Sequence, residues 1–249
     1  MHMNFLKKNL LKFENFVEYL MAQNIYCSFC GSFLDGMQSE YGLCDKCMGK
    51  MDWIFGETCK KCGKPLRFNH GYPLCPDCMS ERRFFHRGYV TTGYGLLERT
   101  LISDFKIRGN TYLSKGIARM MADKLRKEKI SFDIITSVPV HKKRLNIRGF
   151  NQSDLLAKEI SKITEMPYCE YLLRKCDTIH MKELDRWQRR VNIENAFEIN
   201  VKSKRMYPLE SKNVLLIDDI LTTGATINQC SKVLTENGAN RVNTLVFAG

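Results

Sequence analysis

The sequence predicts an α/β protein: a mostly parallel sheet with helices on both faces, preceded by a small cysteine-rich module. Three observations carry this prediction. Four C-x-x-C pairs crowd the chain before residue 80. After residue 86, short apolar runs alternate with stretches whose apolar residues recur at helical spacing, the pattern of βα units with buried parallel strands. Finally, Val214-Leu215-Leu216-Ile217 runs straight into Asp218-Asp219 and the hydroxyl-rich Thr222-Thr223-Gly224-Ala225-Thr226. The 249 residues accordingly divide into a helical extension (1–24), a cysteine module (25–85) and an α/β domain (86–249).

In the extension, Phe5, Leu6, Leu10, Leu11, Phe13, Phe16, Val17 and Leu20 alternate with Lys7, Lys8, Lys12, Glu14 and Glu18. This is an amphipathic helix that packs on the chain or a partner; a membrane surface is the less favoured alternative. It has no uninterrupted apolar core and no small-residue cleavage site, so it is not read as a signal peptide. No stretch is long and apolar enough to span a bilayer. The net charge of +12 suits anionic partners such as nucleotides, pyrophosphate or nucleic acid, and equally suits a basic solvated surface.

The cysteine pairs are Cys27/Cys30, Cys44/Cys47, Cys59/Cys62 and Cys75/Cys78. Each C-x-x-C turn offers two thiolates at a bite that suits tetrahedral zinc, and two turns complete a Cys₄ site. With no export signal, regular pairing favours zinc over disulfides and places the chain in a reducing cytoplasm. The second set repeats the first about thirty residues on, an internal duplication. Sequential pairing is expected: Cys27, Cys30, Cys44 and Cys47 at one zinc, Cys59, Cys62, Cys75 and Cys78 at another. A cross-braced pairing remains the alternative. Four thiolates leave no open coordination position, so both zinc ions are structural. Cys169, Cys176 and Cys230 read as incidental thiols, and His70 as a stray candidate ligand.

In the α/β domain, Tyr89–Tyr94 reads as a strand, and a helix from Leu96 buries Leu97, Leu101, Ile102 and Phe105 before stopping near Gly109. A second helix covers Leu113–Lys127. Phe132–Val138 is a buried strand, ending in a basic loop, His141-Lys142-Lys143-Arg144, and then Arg148-Gly149-Phe150-Asn151-Gln152. A basic loop at the carboxyl end of a parallel strand is where anions bind in open α/β sheets, and Arg144 and Arg148 can clamp phosphate bidentately. The next helix buries Leu155, Leu156, Ile160 and Ile163. The motif strand covers Val214–Ile217, its helix Thr226–Asn237, and Arg241–Ala248 forms the last strand. The fingerprints of P-loop nucleotidases and Rossmann dehydrogenases are missing from the sequence.

The 214–226 stretch specifies its ligand. A helix N-terminus with hydroxyls and a glycine offers donors to a phosphate. Two carboxylates beside it would repel phosphate unless they face a diol or a magnesium ion. A sugar bearing a terminal phosphate satisfies both. Four apolar residues, two acids and Thr-Thr-Gly-x-Thr resemble the phosphoribosyl-pyrophosphate (PRPP) motif of type I phosphoribosyltransferases. With Val138-Pro139-Val140, the run Arg144-x-x-x-Arg148-Gly149-Phe150-Asn151-Gln152 and the cysteine pairs, the chain from about residue 25 resembles the ComF branch, which includes ComFC-type competence proteins.

That resemblance implies a type I phosphoribosyltransferase-like sheet behind a small zinc-binding module. It implies that Asp218 and Asp219 hold the ribose hydroxyls, that Thr222, Thr223, Gly224, Ala225 and Thr226 cradle the 5′-phosphate, and that Arg144 and Arg148 meet pyrophosphate with magnesium. Asp218, Asp219 and Arg189 are its candidate catalytic residues. The stretch 174–197 would be the loop over the site. Where the family has glutamine, usually after proline, this chain has Met181 after His180. Three functions follow as expectations: a PRPP- and single-stranded-DNA-binding protein of natural transformation with a partner in the competence machinery; an active phosphoribosyltransferase of nucleotide metabolism with an unidentified acceptor; or a PRPP-sensing regulator.

Overall fold

The computed structural model describes residues 25–34, 40–66, 71–175 and 195–249. The 1–24 helix, His70, Cys176, His180, Met181 and Arg189 lie outside the described residues.

The cysteine module is built twice from one pattern. In the first ribbon, Cys27 accepts from the Gly31 amide at 2.9 Å and donates to Ser32 at 2.7 Å, with Gly31 at φ +70°. In the second, Cys59 accepts from Gly63 at 2.9 Å and donates to Lys64 at 2.8 Å, with Gly63 at φ +78°. The left-handed turn is why glycine follows the second cysteine of each knuckle. The other two turns begin short helices, α1 (Asp45–Met48) and α2 (Pro76–Ser80), with Cys44 and Cys75 as their N-caps.

The α/β domain runs β1 (Arg87–Thr92), α3 (Leu96–Ile107), α4 (Leu113–Lys127), β2 (Ile134–Ser137), α5 (Lys142–Arg148), α6 (Gln152–Thr164), β3 (Leu172–Arg174), β4 (Phe197–Ile199), α7 (Val201–Met206), β5 (Asn213–Ile220), α8 (Ala225–Glu236) and β6 (Arg241–Ala248). Four strands form one wholly parallel sheet in the order β1-β6-β5-β2. Beyond β2, Tyr168 makes an isolated parallel bridge with Ile135. β3 and β4 form a separate antiparallel pair.

Alternation along the strands divides the core in two. Leu215, Ile217, Leu245 and Phe247 face the helices α3, α4 and α6, whereas Val214, Leu216, Val242 and Val246 face α8 and the β3–β4 pair. The ribbons divide the same way. Cys27, Leu34, Leu43, Cys47 and Met51 join the first core, and Cys59, Cys62, Cys75 and Phe85 the second. The module thus straddles the β1 edge. Gly88 N donates to Lys61 O at 2.7 Å, Gly93 N donates to Asp52 O at 2.7 Å, and Trp53 bridges Thr92, so the strand edge that would invite foreign pairing is covered.

Several expected boundaries shift. The strand expected over Tyr89–Tyr94 runs over Arg87–Thr92, and that over Phe132–Val138 shortens to Ile134–Ser137. The motif strand continues through both carboxylates to Ile220, because β6 pairs with it as far as Ala248. The basic loop is instead a helix, α5, capped by His141 and closed by Gly149 at φ +81°. Ile163 is not on the buried face of α6; it lies exposed, Leu155 is half-buried, and Ala157 is buried in the core.

Candidate functional site

The connections after β2 and β5 leave on opposite faces of the sheet, through α6 and α8. Such divergence opens a crevice at the carboxyl ends of neighbouring strands, and both anion motifs lie there.

Asp218 and Asp219 end on β5, half-buried and buried. Their side chains point to different partners, as adjacent strand residues must. Asp218 Oδ1 accepts from Ser153 Oγ at 2.8 Å and from the Asp219 amide at 2.9 Å. Asp219 receives Lys106 Nζ at 2.7 and 2.9 Å on its two oxygens. Burial, then the neighbouring Asp219 carboxylate, push the Asp218 carboxyl up to about 7, against the pull of Lys106 and Ser153. Beneath them Cys230 is fully buried, and burial holds its thiol well above the usual range.

The turn 222–224 follows at once. Gly224, at φ +78°, is the N-cap of α8, and its carbonyl accepts from Asn228 N at 2.8 Å. No side chain caps this helix; Thr223 Oγ1 accepts from Ala225 N at a long 3.4 Å. The first amides of α8 and the positive end of its dipole are the donors a phosphate needs.

The segment 148–152 joins α5 to α6 and is tied down along its length. Arg148 Nη1 donates to Gln152 Oε1 at 2.9 Å. Phe150 stacks on Phe105 with centroids 5.9 Å apart. Asn151 caps α6 by accepting from Ser153 N at 3.2 Å, while its amide donates to Val138 O at 3.0 Å. Arg144 and Arg148 are half-buried on α5. Burial, then Arg144, lower the pKa of Arg148 against the pull of Asp219, so these charges act on one another. A cavity of about 560 Å³ opens beside this segment, lined by Pro139, His141, Asn151, Arg174 and Lys175 among others.

The structure therefore gathers Asp218, Asp219, the 222–226 turn, Arg144 and Arg148 at one end of the sheet; Arg189 lies outside the described residues. Sequence reasoning missed Ser153 and Lys106. Ser153 directly follows Arg-Gly-Phe-Asn-Gln, which was a signal. Lys106 lies in the last turn of α3, in no motif that would mark it. Lys64 and Arg83, which reach the turn from the second ribbon, had no signal at all.

Each cysteine set brings its four sulfur atoms within 4.8 Å of one another: Cys27, Cys30, Cys44 and Cys47, then Cys59, Cys62, Cys75 and Cys78. Tetrahedral zinc with ~2.3 Å bonds needs sulfurs about 3.8 Å apart. Cys30 and Cys44, and Cys62 and Cys75, are 3.6 Å apart. The donor sets fit zinc, and the pairing is sequential.

Residues 16–79 match the family described as double zinc ribbon domain. The chain is similar to Competence protein F of Haemophilus influenzae, 27% identical over 225 residues, covering 88% of this chain and 94% of that one. It is 26% identical to DNA utilization protein YhgH of Escherichia coli K12 over 81% of this chain and 88% of the relative. It is 26% identical to Competence protein ComFC of Bacillus subtilis over 79% of each. Among solved structures, purine phosphoribosyltransferase from Pyrococcus horikoshii is 21% identical with a TM-score of 0.31, covering 52% of this chain and 68% of that one. The glutamine PRPP amidotransferase of B. subtilis, complexed with ADP and GMP, is 19% identical with a TM-score of 0.36; the match covers 53% of this chain and 25% of that one. No helix among the described residues is long and apolar enough to cross a membrane. Two Cys₄ clusters that match a double zinc ribbon, a parallel sheet ending in Asp218-Asp219 and its turn, and relatives matched over most of their length make the chain similar to competence proteins F and ComFC, with a double zinc ribbon ahead of a parallel α/β domain.

Proposed function

We propose that this protein binds PRPP with magnesium at the carboxyl ends of β2 and β5 and handles single-stranded DNA in natural transformation. The observation that carries the PRPP reading is the continuity of one short segment: two carboxylates at the end of β5, then, five residues after Asp219, the Gly224 N-cap of a helix with no side-chain cap. The ribose diol donates to Asp218 and Asp219, and the 5′-phosphate accepts from the turn and the first amides of α8. Arg144 and Arg148 face the pyrophosphate. Magnesium enters with the pyrophosphate and neutralises its charge. Lys106 already occupies Asp219, so the ligand either shares that carboxylate or draws Lys106 onto its own oxygens. The DNA role is supported by the relatives named for competence and DNA utilization and by the net charge of +12.

Calorimetric titration of PRPP with magnesium tests the site. Asp218→Ala combined with Asp219→Ala is expected to abolish binding while the fold and two zinc ions per chain persist. Unchanged affinity would remove the assignment. Salt-dependent binding of single-stranded DNA, weakened by Arg144→Gln with Arg148→Gln, supports the DNA role. A second reading, an active phosphoribosyltransferase, rests on the completeness of the carboxylate pair and turn; PRPP-dependent release of pyrophosphate with a base as acceptor would establish it.

A further inference from the structure

The second ribbon touches the ligand turn directly. Lys64, two residues after Cys62, donates through Nζ to the Thr222 carbonyl. Arg83, five residues after Cys78, donates through Nη2 to the Thr223 carbonyl at 3.1 Å and to the Asp77 carbonyl, inside the Cys75/Cys78 turn, at 3.3 Å. Its Nη1 lies 3.2 Å from Glu81, and its Nε finds no acceptor among the described residues, although the side chain is 97% buried. A second stitch joins the ribbon's exit to the first turn of α8. Phe84 N donates to Asn228 Oδ1 at 2.7 Å, and Asn228 Nδ2 donates to Arg82 O at 3.1 Å.

The geometry of a trans peptide gives these contacts a direction. The carbonyl of one residue and the N–H of the next point opposite ways. Holding the Thr222 and Thr223 carbonyls toward the ribbon therefore turns the Thr223 and Gly224 N–H groups away from it, to the side where an anion can accept from them. A cation on each carbonyl also polarises that peptide and strengthens the donor at its other end. A side chain at Gly224 would close on this arrangement: its Cβ would lie 3.5 Å from Arg83 Nη1 and 3.3 Å from Leu221.

We propose that Lys64 and Arg83 are positioning residues for the phosphate turn, so that zinc at Cys59, Cys62, Cys75 and Cys78 and a sugar phosphate at residues 222–226 favour one another's binding. This rests on the PRPP reading above and adds to it a dependence on one particular zinc site. Coupling of this kind is reciprocal: whatever the zinc does for the ligand, the ligand does for the zinc.

The test uses the full zinc-loaded chain and PRPP with magnesium as the probe. Lys64→Met and Arg83→Met are each expected to weaken PRPP binding about tenfold or more, the scale of a lost charge-assisted hydrogen bond. Lys64→Arg and Arg83→Lys should recover most of it. Zinc content, at two ions per chain, and circular dichroism should stay unchanged in the half-buried Lys64 variants, which separates positioning from folding. Wild-type affinity in both methionine variants would overturn the inference and leave the PRPP reading standing. A wild-type chain that binds no PRPP would overturn both.

Discussion

The two ribbons are near copies in metal geometry and opposites in what they hold. The first packs on α3 and α4. Tyr41 donates its hydroxyl to Asp123 at 2.8 Å, and its backbone lies so close to α4 that a Cβ on Gly116 would be 2.2 Å from the Tyr41 carbonyl. The second lies on the other sheet face, against β1 and the turn that ends at Gly224. Duplication supplied two equivalent folding units, and their positions across the β1 edge gave them unequal access to the ligand end of the sheet. Metal chemistry alone, then, does not say which site matters to function; the contacts two to five residues beyond the ligands do.

The largest effect expected is common to both ribbons. Stripping zinc with a chelator should unfold the module, because each tetrathiolate site contributes on the order of 10 kcal/mol to so small a unit. Both core faces would then be uncovered, and the thermal midpoint should fall by tens of degrees. An unchanged melt would show that the ribbons stand without metal.

Next come substitutions that unseat one ribbon at a time. Gly63→Ala puts a Cβ 2.5 Å from the Gly88 carbonyl at φ +78°, backbone against backbone, and should cost roughly 3–5 kcal/mol in chemical denaturation. Gly116→Ala should cost a similar amount on the first ribbon's side. The comparison breaks if Gly116→Ala lowers PRPP affinity as much as Gly63→Ala does.

A pH titration isolates the ligand site from both modules, since the groups that shift Asp218 all belong to the α/β domain. With its carboxyl raised to about 7, Asp218 keeps its proton in the folded chain where the unfolded chain has given it up. Its contribution to stability therefore falls as pH rises from about 4 to about 7. PRPP affinity moves the other way, rising through pH 7 as the carboxylate becomes free to accept ribose hydroxyls. Asp218→Asn should flatten both profiles; a wild-type affinity independent of pH between 6 and 8 would contradict the assignment.

The smallest effect belongs to Gly31→Ala. This is the counterpart of Gly63 in the first ribbon, at φ +70°, but nothing lies within 4 Å of the added Cβ. Only the left-handed backbone penalty of about 1–2 kcal/mol remains. A loss as large as that of Gly63→Ala would mean that the knuckle, not its docking, sets the cost.

What the sequence revealed followed from local pattern. C-x-x-C spacing announced both metal sites, and the acids with their threonine turn announced the anion site, because each is contiguous. Helix α5 was hidden because Lys-Lys-Arg-Leu-Asn-Ile-Arg has no face to bury, and Ile147 is indeed 85% exposed. The true length of β5 was hidden because carboxylates look like a strand's end until a neighbouring strand pairs with them. The contacts of Lys64 and Arg83 span 158 and 140 residues, and no window on the chain could place them.

Zinc release to a chromogenic chelator, followed with and without PRPP and magnesium, tests the asymmetry most directly. The wild-type chain should lose zinc in two phases, with PRPP slowing one and leaving the other untouched, and Lys64→Met should abolish the slowing. Two phases that ignore PRPP in a chain shown to bind it would contradict the account.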